Sequence, residues 1–101
     1  MGNRLDLQTL LEGVLQSENV YFQPPASINM VYPCIVYSRN SVKSEFANNL
    51  TYVSKKNYTV IVIDKNPDSE IPDKIKALPY CTFNRHYTAD NLNHDVFTMF
   101  Y

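Results

Sequence analysis

Leu7, Leu10, Leu11, Val14 and Leu15 recur at i, i+3, i+4, i+7 and i+8, which predicts a helix over residues 5–17 with one apolar stripe. Asn3 or Asp6 stands where an N-cap is needed. Gly13 costs this helix about 1 kcal/mol relative to alanine. The helix therefore depends on docking its stripe against a sheet.

The period then changes from 3.6 to 2. Residues 32–38 and 51–64 are rich in β-branched and aromatic side chains, with the polar stretch 39–49 between them, and predict two antiparallel strands joined by a long hairpin loop. In the second strand Val60 and Val62 share one face, while Thr59, Ile61 and Ile63 share the other. A strand apolar on both faces belongs in the centre of a sheet. Ile71, Ile75 and Leu78 predict a second, short helix, with Asp68 or Ser69 as its cap, Pro72 in its first turn and Pro79 as its stop. Residues 81–88 and 95–101 predict two more strands, joined by the link Asp90-Asn-Leu-Asn-His94. Five of the last six residues are apolar or aromatic, so the final strand is expected to be held in the sheet. The order helix, strand, strand, helix, strand, strand implies a two-layer α+β domain, an antiparallel sheet of about four strands with two helices on one face.

Residues 18–23 read Glu-Asn-Val-Tyr-Phe-Gln, close to the recognition site of a viral protease used to remove expression tags. They follow a complete amphipathic helix, and Pro24 stands where such a site carries a small residue. They are therefore read as part of the domain, a short extended segment ended by Pro24 and Pro25.

Composition narrows the function classes. A chain of 101 residues with 45% hydrophobic residues makes one domain over residues 1–101. A formal net charge of −1 argues against nucleic-acid binding, which needs clustered Lys and Arg. Without a membrane-length apolar run or a signal-peptide segment, a cytosolic protein is expected. Cys34 and Cys81, lacking Cys-x-x-Cys spacing, are then expected to be small buried hydrophobes. The sequons at Asn49 and Asn57 carry no meaning without secretion.

Candidate chemistry is sparse. His86 and His94 with Asp90 and Asp95 form the one cluster that suggests a metal or an acid–base pair, but a third ligand of suitable spacing is missing. Turn capping by Asp90, Asn91 and Asn93 explains most of the same stretch. Cys81 or Cys34 with His86 as base is the enzyme alternative. Cys81 and His86 differ by an odd number of positions, so a regular strand points them to opposite faces. Neither glycine sits in a loop that cradles phosphate. No catalytic, metal or cofactor-binding residue is therefore assigned. Tyrosines on a sheet suit base stacking, yet the glycine–aromatic signature of RNA-binding sheets is missing, and tyrosine equally suits protein interfaces.

Charge is unevenly divided. Residues 1–33 sum to −2 and residues 67–101 to −2, whereas Arg39, Lys43, Lys55, Lys56 and Lys65 against Glu45 and Asp64 bring residues 34–66 to +3. A basic hairpin on an acidic body suits head-to-tail contact between copies. Within the loop of residues 39–52, Arg39, Lys43, Phe46 and Tyr52 are the candidate interface residues, aromatics and cations on an otherwise polar loop.

Tyr32-Pro-Cys-Ile-Val-Tyr37, Tyr58-Thr-Val-Ile-Val-Ile-Asp64, Pro67-Asp-Ser-Glu-Ile-Pro-Asp-Lys-Ile75 and Asp90-Asn-Leu-Asn-His-Asp-Val-Phe97 resemble a family of small tail-completion proteins. That family is encoded among the head–tail joining genes of long-tailed bacteriophages and prophages of Gram-positive hosts. The resemblance spans nearly the whole chain and rests on overall sequence, not on a catalytic signature. It implies a tail terminator: a structural virion protein forming a ring, a hexamer, on the head-proximal end of the tail tube. Such a ring ends tail growth and joins the tail to the head connector. The implied partners are further copies of itself, the major tail tube protein and the connector or stopper protein; no sequence-specific nucleic acid, membrane or cofactor is expected. The implied location is the virion neck, with the host cytoplasm during assembly. A head-completion or minor capsid protein is the neighbouring alternative, and a small thiol enzyme a more distant one.

Overall fold

The computed structural model describes residues 4–25, 29–40 and 56–101. Within them the chain forms α1 (Arg4–Leu15), β1 (Val20–Phe22), β2 (Cys34–Arg39), β3 (Asn57–Asp64), α2 (Ile71–Lys76), β4 (Cys81–Ala89) and β5 (Leu92–Phe100). The fold is α+β, one sheet ordered β1-β2-β3-β5-β4 with both helices packed on one face.

Residues 51–55 of the second expected strand and residues 41–49 of the expected hairpin loop lie outside the described residues. The expected antiparallel strands are present, with β3 in the centre between β2 and β5. A fifth strand joins them. β1, the extended segment before Pro24, pairs parallel to β2 with Val20 opposite Ile35 and Phe22 opposite Tyr37, so the sheet is mixed.

Register fixes which side chains share a face. Ile35 lies opposite Val62, Tyr37 opposite Val60, and Val60 and Tyr58 opposite Phe97 and Met99, which places all of them on the helix side. There they close over Leu7, Leu11 and Leu15 of α1 and Ile75 of α2. The predicted stripe is thus the buried stripe, with Leu10 and Val14 at its flank. Burial of each such side chain contributes about 1.5–3 kcal/mol. The opposite face carries Cys34, Ile63 and Val96, each also buried.

Element ends follow local chemistry. Gln16 adopts φ 60°, and the Ser17 N–H reaches back to the Glu12 carbonyl at 3.2 Å, the hydrogen bond of a Schellman stop. At α2 the N-cap is Glu70, without a side-chain capping bond. Ser69, one of the two expected caps, accepts from the Ile71 N–H through its hydroxyl at 3.2 Å. The final residue is held as expected, since Tyr101 and Lys56 exchange backbone hydrogen bonds at 2.9 and 3.1 Å.

The connection between β4 and β5 is tighter than the predicted link. Only Asp90 and Asn91 form the turn, both with positive φ, of 53° and 61°, while Leu92, Asn93 and His94 belong to β5. Both central residues of a type I′ turn need this left-handed backbone, which Asp and Asn tolerate.

Candidate assembly surface

Of the four predicted interface residues, Lys43, Phe46 and Tyr52 lie outside the described residues. Arg39 ends β2, exposed, with its backbone N–H donating to Gln23 Oε1 at 3.2 Å. Beside it Asn40 ties the two strand ends together. Thr59 donates to Asn40 Oδ1 at 2.7 Å, and Asn40 Nδ2 donates to Asn57 Oδ1 at 3.2 Å. Lys56 flanks this same end of the sheet, whereas Lys65 lies beyond the far end of β3. The described basic residues of the middle third, Arg39, Lys56 and Lys65, are therefore spread over two ends of the sheet.

The surface that sequence reasoning missed is β4. It is an edge strand of nine residues, eight of them exposed and Cys81 half-buried. Phe83 is 45% exposed and meets Phe97 edge-on, with ring centroids 5.5 Å apart. On the other face Tyr87 stacks on His94 at 4.6 Å with the rings 10° from parallel, and the Arg85 guanidinium lies 5.6 Å from the Tyr87 ring centre. Such cation–π contact holds a long side chain along the sheet.

A bulge between Phe83 and Arg85 alters the parity expected for a regular strand. Cys81 pairs with Met99 and His86 with Asp95, so both point to the helix side, not to opposite faces. They remain four β5 residues apart, about 14 Å along the strand, far outside hydrogen-bond reach. His86 Nε2 instead lies 3.3 Å from Asn93 Oδ1.

Neither thiol is prepared for attack. Burial pushes the Cys34 thiol from 9.0 up to about 11, with Asp64 adding to the rise, and burial also raises Cys81. Both cysteines are free. Asp95, beside His86, is also raised by burial; the two histidines oppose the rise and Asp73 adds to it. Among the described residues, no three His, Cys, Asp or Glu side chains are grouped to hold a metal ion.

The opposite edge of the sheet is short and blocked at Val20. β1 has three residues, its Val20 carbonyl accepts from Gln8 Nε2 at 3.0 Å, and Pro24 and Pro25, which lack an N–H, follow shortly after it. Arg4 covers the Phe22 ring at 4.6 Å. Among the described residues no helix is long and apolar enough to cross a membrane. No protein-family model, curated protein or solved structure matches the chain.

Proposed function

We propose that this chain is a structural protein of the neck of a long-tailed bacteriophage, a tail terminator that closes as a ring of copies on the head-proximal end of the tail tube. The ring ends tube growth and offers its other side to the head connector. The observation that carries this reading is the β4 edge: nine residues, eight of them exposed, set with Phe83, Arg85 and Tyr87, which is contact chemistry for a protein partner in the neck. The family resemblance along the chain and its divided charge support it as well. A neutral Cys34 thiol and a Cys81 held well away from His86 weigh against the thiol-enzyme alternative.

Light scattering of the pure protein, and of the protein mixed with its tail tube, tests the reading. A hexamer mass in either sample supports it, and a monomer in both overturns it.

A further inference from the structure

We propose that the outer edge of β4 is a docking site for an extended, acid-bearing segment of a different protein, which joins the sheet as a sixth strand. The inference rests on the edge itself and not on the ring.

Alternate residues of an antiparallel strand aim their backbone groups to opposite sides. The Phe100 N–H donates to the Tyr80 carbonyl at 3.0 Å, so Phe100, Thr98, Val96, His94 and Leu92 face β4. Their partners Thr82, Arg85, Tyr87 and Ala89 face back. Cys81, Phe83, His86 and Thr88 are left with their N–H and C=O groups directed away from the sheet, the row that strand addition uses.

Side chains beside this row define the occupant. On the helix side the incoming strand meets the exposed rim of Phe83. On the other side it meets Arg85, Tyr87 and His94. β4 holds one full cation and no carboxylate. A segment alternating apolar side chains with carboxylates is complementary to both faces. A second copy is a poor match, because its β4 brings the same cation and no carboxylate, and its β1 is short, with the Val20 carbonyl already bonded.

The test uses the full chain, isotope-labelled, with two capped peptides of about seven residues. One alternates valine with glutamate, the other valine with lysine. The glutamate peptide is expected to shift the amide signals of Cys81, Phe83, His86 and Thr88 and to bind about tenfold more tightly than the lysine peptide. Arg85→Glu, an exposed change, is expected to reverse that order. Thr88→Pro removes an outward N–H at an edge, where proline is tolerated, and is expected to weaken binding about fivefold with the circular dichroism spectrum unchanged. If Thr88→Pro unfolds the chain, the Arg85→Glu reversal decides. Equal binding of the two peptides, shifts confined to residues outside β4, or no shifts at millimolar peptide overturns the proposal. Self-association through the same amides without peptide also overturns it and makes a second copy the occupant.

Discussion

The Tyr37 hydroxyl, although the residue is wholly buried, donates to Oε1 of Gln8 at 2.6 Å. Gln8 in turn donates to Glu12 Oε2 and to the Val20 carbonyl, both at 3.0 Å. One amide therefore joins α1 to β2 and to β1. Burial raises the Tyr37 hydroxyl pKa, which keeps it protonated and able to donate, while Arg4 acts in the opposite direction.

Tyr37→Phe is expected to cost about 1–2 kcal/mol, because it leaves the Gln8 carbonyl oxygen short of its donor in a part-buried place. Gln8→Leu should cost a similar amount. In a double-mutant cycle by urea unfolding the two costs should fall short of additivity by about 1 kcal/mol, and strict additivity would contradict the coupling.

Gln16 stands in the left-handed region at a helix stop that favours glycine. Gln16→Gly is expected to stabilise the protein by about 0.5–1 kcal/mol. At the β4–β5 turn, Asn91→Val should cost about 1–2 kcal/mol, since a β-branched side chain opposes positive φ. Thermal midpoints of the two variants should move in opposite directions.

Alkaline pH should destabilise the fold through Cys34. Its thiol pKa is higher folded than unfolded, so the contribution is fully present below pH 9.0 and is lost as pH rises toward about 11. Cys81 and Tyr37 shift in the same direction and add to the fall. Cys34→Ala, about 1–2 kcal/mol less stable at neutral pH, should lose less of its unfolding midpoint across that window. Equal losses in both proteins would exclude Cys34 as a source.

Asp95 carries the reverse consequence for acid. Its folded pKa is raised above 3.8, chiefly by burial, so its favourable contribution exists below that value and disappears as the carboxyl ionises. Asp95→Asn should therefore raise the thermal midpoint at neutral pH, with the advantage shrinking in acid. A lower midpoint at neutral pH would mean that attraction to His86 and His94 outweighs the burial cost.

The elements with a long or two-sided pattern were legible in the residues. Leu7, Leu11 and Leu15 keep a helical period, and Val60 to Ile63 are apolar on both faces, so α1 and the central β3 follow directly. Three residues cannot display a period, which is why Val20 to Phe22 read only as extended, without their parallel pairing. Leu92, Asn93 and His94 read as a link because the last two are polar, although they extend β5. The parity of Cys81 and His86 assumes a regular strand, and the bulge that alters it lies in the pairing of β4 with β5. Of the candidate interface only Arg39 falls within the described residues. The β4 edge was hidden because being at an edge belongs to the strand order and not to any residue.

Gln8 also sets a limit on how far the sheet can grow. A sheet open on both sides can recruit strands from either direction and propagate as a fibre. Here α1 occupies the Val20 carbonyl through Gln8, while among the described residues no strand pairs with the outer side of β4. With the Val20 carbonyl taken, strand addition to this sheet is directed to the β4 side, which gives growth a single direction.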